Sequence, residues 1–218
     1  MTAILPALLL ATALAVLPAT ASAQTVIFAQ TPLGALPNDF DAGLAGTGGP
    51  GRWEVVTDDT AEGGRALTQL TAESVDYRFL VAIYNRVNAA NVEVTTRFKP
   101  IAGRIDQAGG VIVRAADAQN YYVARANALE DNVRFYRVNK GRRQELATAD
   151  GVKVASGQWH TLTLRAQNDQ FSVVFNGKPM HTTTDTTNFP RPGAGRVGIW
   201  TKADSVTRFD RLEIKVLP

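Results

Sequence analysis

The chain has 218 residues, with 23 lysines and arginines, 20 aspartates and glutamates, two histidines and no cysteine. Without cysteine the protein cannot form a disulfide, a thiolate nucleophile or a cysteine-ligated metal site, and two histidines exclude a three-histidine metal centre. A net charge of +3, with both signs interspersed, gives no indication of a nucleic-acid partner.

An apolar segment at the N-terminus predicts an export signal over residues 1–23. The segment has no charged side chain and ends in Ala21-Ser22-Ala23, the small-x-small pattern that a signal peptidase cleaves. A membrane anchor is the alternative, because about 20 apolar residues can span a bilayer, but Pro18 and the Thr- and Ser-rich end oppose it. We expect cleavage before Gln24. The protein is then periplasmic or extracellular, with no membrane contact once the leader is removed.

The remaining residues, 24–218, are predicted to form a single jelly-roll domain that starts, over residues 24–52, with a strand and a loop. A short apolar strand is expected near Val26–Ala29. Residues 31–52 are rich in glycine, proline, aspartate and asparagine, which is typical of a loop. The last apolar strand is expected at Leu212–Leu217. Because jelly rolls bring their ends together, we expect the first and last strands to lie in the same sandwich.

Alternating and fully apolar segments predict strands through the rest of the chain. Residues 92–99 and 159–165 alternate with a period of two, whereas residues 77–84 are apolar on both faces, as in a strand buried within a sandwich. Residues 170–175 run into Asn176-Gly177, a strong hairpin signal. About a dozen strand candidates and no amphipathic helix predict an all-β fold, a two-sheet antiparallel jelly-roll sandwich.

One segment, residues 109–143, differs from the rest of the chain in charge. It has seven basic and three acidic residues, a local net charge of +4. Its pattern predicts a meander of three strands at residues 109–115, 120–127 and 132–139. Because side chains alternate along a strand, one face of this meander collects polar and aromatic residues while the other collects apolar ones.

The polar face of the meander is a candidate ligand-binding surface. Guanidinium and amide groups offer paired donors and acceptors to adjacent sugar hydroxyls, and an aromatic ring can stack on a sugar. Residues 194–210 add a tryptophan, and Gly198 would leave room over its indole. The predicted ligand-binding residues, expected on one concave surface, are Arg114, Arg125, Asn127, Arg134, Tyr136, Trp200 and Lys202. Two alternatives remain: Trp200 as a half-buried packing residue, and an internal network that pairs the arginines with Asp117, Glu130 and Asp131.

Several motifs between residues 53 and 216 carry a family resemblance. They are Gly109-Gly110, Arg114, Asp117, Asn120-Tyr121-Tyr122, Arg125, Asn127, Trp159-His160-Thr161-Leu162, Asn176-Gly177, Gly195-x-Val197-Gly198-Ile199-Trp200-Thr201 and Phe209-Asp210. With these motifs the chain resembles the concanavalin A-like lectin/glucanase superfamily. More narrowly, it resembles the laminin-G-like jelly-roll domains of exported bacterial proteins, which are often described as glycoside hydrolase-like. The resemblance implies a concanavalin A-like fold.

Catalysis has less support in the sequence. Laminarinase-type members of that superfamily have an E-x-D-x-x-E strand, and none of the seven glutamates here has an aspartate two positions on. Retaining hydrolysis therefore lacks its carboxylate pair. If the protein cleaves glycosides as a hydrolase or lyase, the candidate acid or base is Glu130, Asp117 or His160. Since His160 shares a strand face with Leu162 and Leu164, a buried structural histidine is the alternative.

The resemblance also implies a structural calcium ion. Asp210 lies where similar members of the superfamily place an oxygen ligand near the last strand. Asp39 or Asp41 would meet it if the two ends of the chain are adjacent, since calcium prefers oxygen ligands.

Together these features predict an exported carbohydrate-binding module whose partner is a poly- or oligosaccharide. An enzyme acting on glycosides is the first alternative, and a structural or adhesive module without a small ligand is the second. Binding without turnover would distinguish the module from the enzyme.

Overall fold

The structure is a computed structural model and describes residues 23–187, 189 and 193–218. The predicted leader lies outside the described residues, apart from Ala23. The described strands are β1 (Ala23–Ile27), β2 (Phe40–Gly46), β3 (Trp53–Thr57), β4 (Arg65–Gln69), β5 (Arg78–Ala89), β6 (Val92–Ala102), β7 (Ala108–Asp117), β8 (Asn120–Asn127), β9 (Asn132–Asn139), β10 (Arg142–Asp150), β11 (His160–Gln167), β12 (Gln170–Phe175), β13 (Lys178–Thr184), β14 (Gly195–Lys202) and β15 (Val206–Val216). A 3-10 turn at Glu62–Gly64 is the one helical element among the described residues. Within the same residues, no helix is long and apolar enough to cross a membrane.

The strands form two antiparallel sheets that pack face to face. The eight-stranded sheet has the order β13-β12-β11-β6-β15-β4-β3, with β1 paired to β15. The seven-stranded sheet has the order β10-β9-β8-β7-β14-β5-β2. Neighbours such as β6 and β15 are far apart in sequence, as jelly-roll connections require. The predicted all-β, two-sheet sandwich is confirmed.

The main core lies between the two sheets and follows the predicted alternation. In β11, His160, Leu162 and Leu164 are buried, while the residues between them are half-buried on the other face. Tyr122 of β8 and Phe171 of β12 connect the two sheets, with ring centroids 4.4 Å apart. Strand periodicity thus places the same residues inside that the sequence assigns to the core.

The chain ends and one hairpin also agree with the sequence. Strand β1 pairs with β15, so that Val26 lies opposite Leu212. Asn176 and Gly177 connect β12 to β13 with φ angles of 47° and 76°, and these left-handed values are those that a tight hairpin turn needs. Both predictions are confirmed.

Two strands were not expected from the sequence. Strand β2 lies within the predicted loop over residues 31–52, where Phe40 and Ala45 are buried. The glycine in this segment is typical of a loop and so masks the strand pattern. Gly43 is nevertheless required in the strand, because it packs so closely on Ala118 that only glycine fits there. The second unexpected strand is β10, which extends the predicted three-strand meander to four.

Candidate functional site

The seven-stranded sheet is curved so strongly that its two edges approach each other. Four strands separate β10 from β5. Yet the guanidinium carbon of Arg143 on β10 lies 4.2 Å from the ring centroid of Phe79 on β5, and the Arg143 backbone N–H donates to the Tyr77 hydroxyl at 3.1 Å. The face turned away from the core is therefore concave, and we call it the trough. Its main side chains are Phe79, Tyr121, Arg125, Arg134, Tyr136, Arg143, Trp200 and Lys202.

The floor of the trough is a second hydrophobic cluster that includes Trp200. Trp200 is 0% exposed, stacks on Phe79 with ring centroids 5.6 Å apart, and donates its indole N–H to the Tyr121 hydroxyl at 3.1 Å. Burial raises the pKa of that hydroxyl, so it stays protonated. An indole with no exposed surface cannot stack on a sugar ring, which corrects the role that the sequence predicted for Trp200.

Arg125 lies beneath the surface of the trough, where three neighbouring side chains bind its two terminal nitrogens. It is 1% exposed, and its guanidinium donates to the Glu130 carboxylate at 2.7 Å, to the amide oxygen of Asn132 and to the Tyr136 hydroxyl at 3.4 Å. This arrangement is the internal network that the sequence left open as an alternative. Arg125 therefore supports the surface of the trough rather than reaching a ligand.

Lys202 forms a second charged centre at the same end of the trough. Its ammonium nitrogen lies 2.9 Å from an Asp106 oxygen and 3.4 Å from a Glu130 oxygen. Asn127 is fully buried and donates its side-chain amide to Asp106 at 2.6 Å. The sequence analysis missed Asp106, because this residue lies in the loop between β6 and β7, where strand alternation gives no information.

The two carboxylates around Lys202 have opposite pKa shifts. Burial raises the pKa of Asp106, although Lys202 opposes this shift. Burial also acts to raise the pKa of Glu130, but the charges of Arg125 and Lys202 outweigh it and lower that pKa to about 2. Opposite shifts are typical of acid–base pairs, but Asp106 is 0% exposed and out of reach of a substrate. The two carboxylates, Asp106 and Glu130, instead neutralise the charges of Arg125 and Lys202.

Six of the seven predicted ligand residues thus lie on the trough side of the sheet, and Arg134 is the most open of them. Its side chain is 33% exposed and lies 3.3 Å from the Glu145 carboxylate and 3.9 Å from Asp150. Tyr136, its neighbour on β9, is 5% exposed and presents its ring to the interior of the trough. Among the predicted residues, Arg134 is the one best placed to touch a bound molecule.

Arg114, the seventh predicted residue, lies on the other face of the sheet. Its φ is 51°, and the pairing of β7 with β8 shifts register after Val113. This bulge reverses the alternation and turns the side chain toward the eight-stranded sheet. There the guanidinium donates to the carbonyl oxygens of Ala90 at 2.7 Å and Asn168 at 2.6 Å. The prediction that Arg114 faces the ligand surface is wrong.

The three candidate acids and bases do not form a catalytic group. Glu130 follows β8 and Asp117 precedes it, so they lie at opposite ends of that strand. Asp117 is exposed and accepts hydrogen bonds from Gln119 and Asn120. His160 is buried in the other sheet, with Nε2 2.9 Å from the Ala155 carbonyl oxygen and Nδ1 3.0 Å from the Asn176 amide. His160 is therefore the buried structural histidine that the alternation of β11 indicates.

The three candidate calcium ligands are also separate. Asp210 is 0% exposed and lies 3.3 Å from Arg97, whereas Asp39 pairs with Arg86 and Asp41 pairs with Arg196. No group of three or more acidic or histidine side chains within the described residues is arranged to hold a metal. The carboxylates that the resemblance suggested do not converge on a common cation site.

Arg143 is the residue of the trough that the sequence analysis missed. It is half-buried, and its guanidinium lies 4.2 Å from the ring centroid of Phe79 and 4.8 Å from that of Tyr136. The sequence feature that could have predicted its position is the hairpin turn Lys140-Gly141, whose φ angles are 50° and 74°. This turn starts β10 at residue 142 and so puts Arg143 on the trough side, beside Val138.

Comparison with solved structures agrees with the fold. The carbohydrate-binding module CBM66 from Bacillus subtilis is 17% identical, with a TM-score of 0.55 over 73% of this chain and 88% of that one. A carbohydrate esterase from Shiga toxin-encoding bacteriophage phi24B is 18% identical, with a TM-score of 0.57 over 91% and 100%. Domain 4 of AbnA, an extracellular arabinanase from Geobacillus stearothermophilus solved with arabinotriose, is 16% identical, with a TM-score of 0.51 over 90% and 93%.

A sequence comparison identifies the family. A comparison with curated protein sequences found no match. The model of the galactocerebrosidase C-terminal lectin domain does match, over residues 83–217. This range runs from β5 to the end of β15 and contains the trough strands β7–β10 and β14. The chain belongs to the family of galactocerebrosidase C-terminal lectin domains.

Proposed function

We propose that the protein is an exported carbohydrate-binding module whose ligand lies in the trough. Its membership of a lectin-domain family is the observation that carries the proposal. The trough adds a concave surface with polar and aromatic groups at its rim, including Arg134, Glu145 and Tyr77, of which the last is 40% exposed. The narrower likeness to concanavalin A-like and laminin-G-like domains is part of this proposal.

The contacts divide the trough into a supporting layer and a contact layer. Arg125, Asn127 and Trp200 are at most 1% exposed, so they shape the floor and hold the charges in place. The side chains of Arg134 and Glu130 are 33% and 31% exposed, and they offer donors and acceptors to sugar hydroxyls. We therefore assign the first contact with an oligosaccharide to the exposed pair Arg134–Glu145 and its neighbours.

Replacing Arg134 with alanine tests the trough. We expect Arg134→Ala to weaken oligosaccharide binding by about tenfold, because it removes charge-assisted donors worth roughly 1–3 kcal/mol. A glycan array followed by calorimetric titration of the purified full chain measures the loss. A reducing-sugar assay run in parallel checks for turnover, and turnover that Glu130→Gln abolishes would contradict a purely binding role.

Arg165→Ala is the matched control. Arg165 lies on the eight-stranded sheet and pairs with Glu93 at 3.2 Å, with 38% of its side chain exposed. It therefore matches the Arg134–Glu145 pair in charge, distance and exposure, but it lies on the opposite sheet. Equal losses in the two variants, or no binding to any glycan by the wild type, would overturn the proposal.

Export is a separate part of the proposal. We expect the mature protein to start at Gln24, since Ala21-Ser22-Ala23 fits signal peptidase. The intact mass of protein recovered from the periplasm or the medium measures this directly. Retention of residues 1–23 in a membrane fraction would contradict it.

A further inference from the structure

The guanidinium of Arg143 extends across the trough and packs against aromatic rings. It contacts the rings of Phe79 and Tyr136, and the exposed Tyr77 lies beside it at 5.7 Å. Stacking on aromatic rings holds the planar group in one orientation. A half-buried cation is thus fixed in the middle of the concave surface.

Within the described part of the chain, this cation has no carboxylate in contact with it. Among the described residues, no carboxylate lies within 4 Å of the Arg143 side chain, while Arg125, Arg134 and Lys202 of the same surface all have one. The buried Nε and Nη1 atoms of Arg143 also find no hydrogen-bond acceptor there. Burial lowers the pKa of this guanidinium, which reflects the cost of holding an unpaired charge in this position.

Two other buried arginines, Arg78 and Arg114, are satisfied by the protein itself, and Arg125 has a carboxylate partner although its Nε is unpaired. Arg78 is 0% exposed and donates to the carbonyl oxygens of Gly49, Pro50 and Ala203. Arg114 donates to two further carbonyl oxygens. Because buried donors in native proteins normally have partners, the unsatisfied group on Arg143 indicates a partner that comes from outside the chain.

We propose that Arg143 binds the anionic group of an acidic saccharide, a carboxylate or a sulfate, within the trough. Of the three guanidinium nitrogens, Nη2 is the one that is not buried, and it can donate a charge-assisted hydrogen bond to an oxygen of either group, while the position over Phe79 keeps this donor oriented before the ligand arrives. The exposed Lys140 and Arg142 of the same hairpin increase the positive potential near the rim. This inference rests on the proposed carbohydrate-binding function and specifies its ligand class.

An array of matched oligosaccharide pairs tests the proposal with the full chain. Each pair has one backbone in an anionic and a neutral form: oligogalacturonate and its methyl ester, and a sulfated galactan fragment and its desulfated form. We expect the wild type to bind the anionic member of at least one pair at least tenfold more tightly, with affinity falling as salt rises. The uronate and sulfate pairs distinguish the two sources of charge.

Arg143→Met should remove the preference while keeping an apolar stem over Phe79, and Arg165→Met, the same change on the eight-stranded sheet, should retain it. Arg143→Gln provides a second variant, and circular dichroism checks the fold of each. Equal binding of both members of every pair, or a preference that survives Arg143→Met and Arg143→Gln, overturns the inference and leaves the carbohydrate-binding function standing. Absence of binding to every glycan overturns both.

Discussion

Trp200→Ala is expected to lower the free energy of unfolding by about 3–5 kcal/mol, the range for removing a buried aromatic side chain. The indole is 0% exposed, stacks on Phe79 and donates to Tyr121. Its loss would leave both a cavity in the floor of the trough and an unpaired hydroxyl. Urea unfolding at constant m-value measures the change.

Trp159→Ala is the control for this prediction. Trp159 is half-buried just before β11 and donates to the Thr60 hydroxyl at 2.9 Å, so its loss should cost about 1 kcal/mol or less. If Trp200→Ala instead unfolds like the wild type and loses glycan binding, the indole is a ligand platform and our assignment to the floor fails.

Glu130→Gln is expected to destabilise the fold by about 2 kcal/mol at pH 7. The change leaves the Arg125 guanidinium, 1% exposed, without its carboxylate. Removing one partner of a fully buried ion pair costs about 3–5 kcal/mol, and we expect less because the Glu130 side chain is 31% exposed and partly screened. Chemical denaturation of the two proteins measures the difference.

The pH dependence of this difference has a defined sign. The pKa of Glu130 is lowered from 4.5 to about 2 in the folded protein, so the folded state favours its charged form. The stabilisation is therefore complete above pH 4.5 and disappears as the pH falls toward 2. Glu93→Gln, which removes an exposed partner of Arg165, should show little change. A Glu130→Gln difference that is the same at pH 7 and pH 3 would contradict the charge-pair origin.

The sequence predicts the sandwich well because strand alternation is a local property. Val92–Ala102 and His160–Gln167 became neighbouring strands with the expected faces inward. Alternation also placed most of the candidate ligand residues on one face. It failed at Arg114, because a bulge adds one residue to β7 relative to β14 and so reverses the alternation from Arg114 onward. No residue type in that segment marks the bulge.

Exposure could not be predicted, because it depends on the curvature of the whole sheet. Trp200 has the predicted orientation, yet Phe79 stacks on its ring, Tyr121 accepts its indole N–H, and none of its surface is exposed. Gly198 was expected to leave room for a sugar, but the backbone of β5 fills this space. A β-carbon at position 198 would lie 2.5 Å from the Ala82 carbonyl oxygen. Arg143 is part of the candidate surface only because β10 curls back to β5, a relation between segments far apart in sequence.

The curvature of the seven-stranded sheet also changes how far the edges of that sheet are open to pairing. An exposed sheet edge is a template for pairing with another chain, and here β10 and β2 shield each other where Gly141 approaches Gly46. The eight-stranded sheet has β13 at one edge, which carries Lys178 and Pro179 at a register shift. Proline lacks the donor that a further strand requires, and lysine resists burial. The curvature of one sheet and the lysine and proline at an edge of the other thus both oppose edge-to-edge aggregation.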